Sequence, residues 1–134
     1  PAPSEVQIAT ILYIEDNLAN LTLVETIFDD RPGIQLIPAL QGRMGLELAR
    51  QHAPHLILLD LHLPDLSGEE VLRELRRDPA TRDTPVVVIS ADATPRQIAN
   101  LRQTGAQEYL TKPLDIDRFR HVVDELLATA PRKL

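Results

Sequence analysis

The pattern that most limits how this chain can fold is a short apolar run followed by a helix-like pattern, repeated five times. The predicted strands are Ile11–Ile14, Ile34–Ile37, Leu56–Leu59 and Val86–Ile89, with Ala106–Leu110 as a fifth and weaker one. Runs of this length, bounded by turn residues, are typical of buried β-strands. Strands that alternate with helices connect through right-handed crossovers and form a parallel sheet with helices on both faces. The sequence therefore predicts an α/β fold.

The segments between the strands carry signals for helix starts and ends. Asn17 and Asp115 are good N-cap residues, and two capping boxes begin at Ser67 and at Thr94. Pro and Gly residues stand where helices should stop. The first predicted helix follows Asn17 and stops at Pro32-Gly33, and the second spans about Gly42–His52. The third follows Ser67, and the fourth runs from Pro95 to Gly105. The fifth follows Asp115, and its apolar face consists of Ile116, Phe119, Val122, Val123, Leu126 and Leu127.

A five-stranded open sheet of this kind most often has the strand order 2-1-3-4-5, which is the flavodoxin-like doubly wound (βα)5 arrangement. Its ligand crevice lies at the carboxyl ends of strands 1 and 3. We expect one domain over residues 9–128, an N-terminal tail at 1–8 and a C-terminal tail or linker at 129–134.

Composition excludes several classes of protein. The chain has 134 residues, 14 Lys and Arg against 20 Asp and Glu, and a net charge of −6. It has no cysteine, which excludes disulfides, thiol nucleophiles and Cys-zinc sites. An acidic chain without a basic cluster is not expected to bind nucleic acid directly. Since no apolar run approaches the ~18 residues of a membrane span, we expect a soluble, cytoplasmic protein.

Polar residues that suit phosphoryl transfer follow the predicted strands. Glu15 and Asp16 follow strand 1, Asp60 follows strand 3, Ser90 follows strand 4, and Thr111-Lys112 follow strand 5. Carboxylates that converge in one crevice repel each other unless a cation intervenes, and oxygen ligands favour Mg²⁺. A lysine and a hydroxyl beside them suit a phosphoryl group, whose transfer depends on positioning and charge neutralisation.

These residues, in this order, resemble the receiver domain of two-component response regulators over about residues 9–128. The resemblance rests on Glu15-Asp16, on Asp60 followed by Leu61–Gly68, on Ser90-Ala91, on Tyr109 and on Lys112-Pro113. Glu15 departs from the commoner Asp-Asp pair, and we expect activity to survive this change. The stretch Tyr13–Asn17 with Asn20 is also similar to receivers attached to hybrid sensor kinases.

The resemblance implies a role for each matching residue. Asp60 would accept a phosphoryl group from a phosphohistidine. Asp16, Asp60 and the backbone carbonyl of His62 would bind Mg²⁺, or Mn²⁺ in its place, and Glu15 would act through water. Lys112 would contact a phosphoryl oxygen, and its bond to Pro113 would be cis. Such a domain catalyses its own phosphorylation and dephosphorylation without being an enzyme in the usual sense.

The resemblance also implies a switch and a set of partners. Ser90 would move to the phosphoryl group and Tyr109 would move inward, changing the surface of helix 4, strand 5 and helix 5. His62 and Asp92 would tune the lifetime of the aspartyl phosphate. The partners would be a histidine kinase or histidine phosphotransfer domain, a downstream effector or attached domain, and a second copy bound through that surface.

Other interpretations stay open at this point. A receiver-like module could bind partners without phosphorylation, although such domains usually lose the acidic pair, the acceptor Asp or the Lys. An Asp-nucleophile phosphohydrolase would want an acid where His62 stands. His52, His55 and His121 are interpreted as structural or solvated residues, and the charge run Arg73–Asp78 as a solvated helix face. The sequence leaves open whether the receiver stands alone or belongs to a hybrid kinase or larger regulator.

Overall fold

The computed structural model of the protein describes residues 8–92 and 94–129. Strands and helices alternate along these residues, as the sequence predicts. Their bounds are β1 (Ala9–Ile14), α1 (Leu18–Ile27), β2 (Ile34–Ala39), α2 (Gly42–His52), β3 (Leu56–Asp60), α3 (Gly68–Arg77), β4 (Val86–Ser90), α4 (Pro95–Thr104), β5 (Glu108–Thr111) and α5 (Ile116–Thr129). The predicted tails lie outside the described residues except for Ile8 and Thr129, the latter of which is the last residue of α5.

The five strands form one parallel sheet in the order β2-β1-β3-β4-β5, which confirms the predicted topology. Successive residues of a strand point to opposite faces of a sheet, so each central strand contributes to two cores. Leu12 and Ile14 of β1 pack with α2, α3 and α4, whereas Ile11 and Tyr13 pack with α1 and α5. All residues of β3 and β4 are buried, which accounts for their continuous apolar sequence.

The helix caps follow the sequence signals. The side chains of Asn17, Ser67 and Thr94 accept hydrogen bonds from the backbone N–H groups of Asn20, Glu70 and Gln97. Asp115 accepts a hydrogen bond from the backbone of Arg118 at 3.2 Å. Each side chain satisfies a donor that the helix itself leaves unpaired, which fixes where the helix begins.

The clearest differences from the prediction are two element boundaries and the exposure of one residue. Helix α1 ends at Ile27, before Pro32-Gly33, because the backbone turns at Phe28. Strand β5 begins at Glu108 rather than Ala106, because the N–H of Ala106 still bonds to Leu101 at the end of α4. Ile116 was expected on the apolar face of α5 but is 44% exposed, since it is the first residue of that helix.

Candidate functional site

The register of the sheet brings the predicted residues to one edge. Ile14 of β1 pairs with Leu59 of β3, so the residues that follow them, Glu15 and Asp60, lie side by side. On the other side of β3, Ser90 pairs with Thr111 of β5. Lys112 follows Thr111 and points its ammonium group back over the ends of β1 and β3. The carboxyl ends of the strands therefore form the crevice that the topology predicts.

Glu15 is fully buried and strongly hydrogen-bonded. Its Oε1 accepts from Lys112 Nζ at 2.8 Å, from Asn20 Nδ2 at 2.7 Å and from the Tyr13 hydroxyl at 3.3 Å. Burial acts to raise the pKa of this carboxyl, but hydrogen bonds with Lys112, Asp60 and Asn20 outweigh it and hold the pKa below its ordinary value. Glu15 is therefore a charged carboxylate in a buried position.

Asp60 is also buried, but its charge is poorly compensated. Its side chain lies 3.5 Å from Lys112 Nζ, a longer contact than the one Lys112 makes with Glu15. Burial, and then the neighbouring Glu15, raise the pKa of Asp60 to about 6. Lys112 and the backbone of His62 act in the opposite direction without cancelling this shift. A second positive charge beside Asp60 would therefore favour its ionised form.

The carboxylates fit a hard divalent cation. Oxygen atoms of Glu15, Asp16 and Asp60 all lie within 4.8 Å of one another, and Asp16 is exposed at the crevice mouth. Three carboxylates face one lysine here, and the pKa of Asp60 is raised by burial first and then by the neighbouring Glu15. An all-oxygen set with one side open to water suits Mg²⁺, which keeps several of its own water ligands.

The loop after β3 closes tightly over the end of the strand. The Gly68 N–H donates to Leu61 O at 2.9 Å, and His62 pairs with Ser67 in an antiparallel bridge. A Cβ at Gly68 would stand 2.7 Å from the backbone oxygen of Asp60 and 2.6 Å from Leu61 Cα. Only glycine allows α3 to start this close to the backbone of the candidate acceptor.

The other predicted switch and tuning residues contact each other. Ser90 is fully buried, and its Oγ accepts from the Asp92 backbone N–H at 3.2 Å. Asp92 Oδ2 lies 2.8 Å from His62 Nε2, although both side chains are mostly exposed. The Tyr109 hydroxyl donates to the backbone oxygen of Asp92, and the tyrosine ring is already buried. Asp92 thus joins the loop after β3 to strand β5.

Some residues of the site carried too little sequence signal to be assigned a role. Tyr13 and Asn20 belong only to the family-like stretch Tyr13–Asn17 with Asn20, yet both contact Glu15. The Lys112–Pro113 peptide bond is cis, as the resemblance implies. Thr111 is exposed, and among residues 8–92 and 94–129 its side chain makes no hydrogen bond with the carboxylates.

The three other histidines fit their interpretation as structural or solvated residues, whereas one residue of the charge run on α3 does not fit its own. His55 Nδ1 accepts the Thr10 N–H at 3.0 Å, which is a structural contact, and His52 and His121 are exposed. In the run Arg73–Asp78, interpreted as a solvated helix face, Arg73, Glu74 and Arg77 are exposed but Arg76 is not. That guanidinium is half-buried and donates to the backbone oxygens of Gly105 and Thr84, because the end of α3 packs against the turn before β5.

A twisted parallel sheet in this order, with carboxylates, a lysine and a hydroxyl at its carboxyl edge, defines a receiver-type α/β domain. A family model described as the response regulator receiver domain matches residues 11–124. The chain belongs to the response regulator receiver domain family.

Relatives and solved structures agree with this assignment. The chain is 34% identical over 121 residues to the polar-differentiation response regulator DivK of Brucella anthropi, covering 90% of this chain and 98% of DivK. It superposes on the receiver domain of the Francisella response regulator 1452 with a TM-score of 0.82 and 28% identity, covering 90% and 97% of the two chains. The receiver domain of a Pseudomonas aeruginosa sensor histidine kinase, with a magnesium ion coordinated in its active-site cleft, gives a TM-score of 0.82, 26% identity and coverage of 91% and 99%.

Among the described residues, no helix is both long and apolar enough to cross a membrane.

Proposed function

We propose that this receiver domain takes a phosphoryl group from a phosphohistidine onto Asp60, and that the new charge changes the surface formed by α4, β5 and α5. The observation that supports this most is the convergence of Glu15, Asp60 and Lys112. Lys112 Nζ lies 2.8 Å from one carboxylate and 3.5 Å from the other. The donor would be a histidine kinase or a histidine phosphotransfer domain.

In the proposed reaction, a carboxylate oxygen of Asp60 attacks the phosphorus, the phosphorus–nitrogen bond to the donor imidazole breaks, and the imidazole leaves. Lys112 is close enough to Asp60 to contact an oxygen of the incoming phosphoryl group. Asp16, Asp60 and the backbone carbonyl of His62 would hold Mg²⁺, with Glu15 acting through water. When bound, Mg²⁺ neutralises charge on the phosphoryl oxygens. Mn²⁺ could occupy the same oxygen ligands.

The proposed switch runs through Ser90 and Tyr109. A phosphoryl group on Asp60 would draw the Ser90 hydroxyl away from the Asp92 N–H that it now contacts at 3.2 Å. Because Asp92 also accepts from Tyr109, a shift of this loop reaches β5 directly. There, Glu108 joins Arg102 of α4 at 3.0 Å and Arg118 of α5 at 3.7 Å. A downstream effector, an attached domain or a second copy of the chain would read this surface.

Intact-mass measurement after incubation with acetyl phosphate tests the proposal. We expect the wild type to gain one phosphoryl group only when Mg²⁺ is present. Asp60→Asn should gain none, whereas Asp117→Asn, a matched change at an exposed position of α5, should behave as the wild type. If folded wild-type protein gains nothing with Mg²⁺, the proposal is wrong, and the chain is a receiver-like interaction module that acts without phosphorylation.

A further inference from the structure

Three side-chain donors bind Glu15 through the same oxygen atom. Oε1 accepts from Lys112, Asn20 and Tyr13, whereas the contact of Oε2 is a 3.5 Å approach by the Asn17 backbone N–H. A carboxylate oxygen has two lone pairs, so Oε1 is saturated. Three donors on one oxygen fix the plane of this carboxylate, and Oε2 is left with the longer and weaker contact.

Two of the three donors are themselves rigid. Tyr13 is fully buried within the core between the sheet and the helices α1 and α5, so its hydroxyl has one position. Asn20 lies in the first turn of α1, and its backbone N–H donates to the Asn17 cap at 3.1 Å. The third donor, Lys112, ends a flexible side chain and is also shared with Asp60.

We propose that Tyr13 and Asn20 are positioning residues that orient the Glu15 carboxylate for a divalent cation, an inference that rests on the proposed Mg²⁺ site. A glutamate has one more rotatable bond than an aspartate, and ordering that bond costs side-chain entropy when the cation binds. Two rigid donors on Oε1 remove this freedom in advance. Lys112 then remains available for the phosphoryl group, because Glu15 stays in place without it.

Metal affinity measured by calorimetry, without any phosphoryl donor, tests this role. We expect Asn20→Ala to weaken Mg²⁺ binding about ten-fold, which is typical for loss of a group that orients a metal ligand. Tyr13→Phe, which removes only the longer hydrogen bond, should weaken it about three-fold. Asn100→Ala, a matched change at an exposed asparagine of α4, should leave the affinity within about two-fold of the wild type.

A comparison of Mg²⁺ and Ca²⁺ affinities distinguishes the positioning of Glu15 from a general structural effect of the substitutions. Mg²⁺ demands near-octahedral ligands, whereas Ca²⁺ accepts irregular ones, so Asn20→Ala should weaken Ca²⁺ binding only about two-fold. Equal losses for both ions, or an Mg²⁺ affinity unchanged by Asn20→Ala and Tyr13→Phe, would overturn the positioning role. Failure of the wild type to bind Mg²⁺ would instead overturn the proposed function itself.

A double-mutant cycle with Glu15→Asp assigns the effect to Glu15. The shorter side chain cannot keep the 2.7 Å contact with Asn20, so adding Asn20→Ala to Glu15→Asp should cost no further affinity. The same cycle is also measured without metal, from the midpoint of thermal unfolding in the presence of EDTA. Additive losses in both measurements would show that Asn20 does not act through Glu15.

Discussion

At the scale of single residues, the two buried carboxyls of the site behave differently because their partners differ. Glu15 has three donors on one oxygen, and its pKa stays below the ordinary value despite burial. Asp60 contacts Lys112 at the longer distance of 3.5 Å, and burial raises the pKa of Asp60 to about 6. The proposed phosphoacceptor is therefore the carboxyl that most needs a second cation.

The raised pKa of Asp60 predicts a pH dependence of Mg²⁺ binding. Below about pH 6 a proton occupies Asp60 and competes with the cation, whereas above it the carboxylate is ionised and available. Affinity should therefore rise with pH and level off above about pH 7, being about ten-fold weaker at pH 5 than at the plateau. Calorimetric titrations from pH 5 to pH 8 measure this, with proton release during binding at pH 5.

The control for this prediction is His62→Ala, which removes the imidazole that contacts Asp92 beside the crevice. The variant keeps its backbone carbonyl and should keep the pH dependence. An affinity that does not change between pH 5 and pH 8 would contradict the assignment of this proton to Asp60.

At the scale of elements, helix α2 begins with a cap that comes from another part of the chain. Its N-cap residue Gln41 makes no side-chain cap bond. Instead, Asp65 accepts from the backbone N–H groups of Gly42 at 2.7 Å and Arg43 at 2.9 Å. The hydrogen bond from the Arg43 N–H lowers the pKa of Asp65 below its ordinary value, although burial acts in the opposite direction. The loop after β3 is thus tied to α2.

Removal of this cap should destabilise the fold. We expect Asp65→Ala to lower the free energy of unfolding by about 1 kcal/mol, the usual cost of an N-cap aspartate. Asp29→Ala, at an exposed aspartate beyond α1, should change it by less than about 0.5 kcal/mol. Urea denaturation followed by circular dichroism measures both. Equal losses in the two variants would show that Asp65 does not cap α2.

Arg76 joins three elements at the opposite edge of the sheet. Its guanidinium donates to Gly105 O at 2.7 Å, to Thr84 O at 2.8 Å and to Gln107 Oε1 at 3.0 Å. Gly105 has a φ of 121° and leaves no room for a Cβ, which would stand 2.6 Å from Arg76 Nε. The end of α3 is thereby locked to the turn between α4 and β5.

Loss of this guanidinium should cost more than loss of its neighbour. Arg76→Met would leave several backbone oxygens without their donor, and we expect the free energy of unfolding to fall by about 2 kcal/mol. Arg73→Met on the same helix removes only an exposed contact to Glu69 and should cost less than about 0.5 kcal/mol. Chemical denaturation of both variants measures these losses of unfolding free energy. A smaller loss for Arg76→Met than for Arg73→Met would contradict the prediction.

At the scale of the whole molecule, the loops at the carboxyl edge are joined across the crevice by side chains. The His62–Asp92 contact of 2.8 Å links the loop after β3 to the loop after β4, and Tyr109 continues the link to β5. Both partners of the pair are mostly exposed, so their contact contributes little to stability. We instead expect the His62–Asp92 contact to limit how easily water reaches a phosphorylated Asp60.

Opening this link should shorten the life of the aspartyl phosphate. We expect Asp92→Ala to speed dephosphorylation about three-fold, equivalent to a barrier lower by about 0.7 kcal/mol, because water reaches the phosphoryl group more easily. The rate is measured by the loss of phosphorylated mass after removal of acetyl phosphate. Asp117→Asn, at an exposed residue of α5 with no hydrogen bond to His62 or Asp92, serves as the control. Unchanged rates in both Asp92→Ala and His62→Ala would refute the tuning role of the pair.

The architecture and the residues of the candidate site could both be predicted from local sequence signals. Continuous apolar runs such as Leu56–Leu59 predict buried strands, and capping boxes such as the one at Ser67 predict helix starts, because both signals arise from neighbouring residues. Alternation of the two leaves few parallel topologies, so Glu15, Asp60 and Lys112 could be placed at one edge before any coordinate was known.

The contacts among these residues could not be predicted, because they depend on how distant parts of the chain pack together. Asp65 caps a helix 23 residues earlier in the chain, and Lys112 reaches Glu15 across 97 residues. The anchoring of Glu15 by Tyr13 and Asn20 also depends on how the buried strand packs against α1. A hydrogen bond requires its atoms to lie within a few tenths of an ångström of the right distance, and packing of the whole chain, not local sequence, sets that distance.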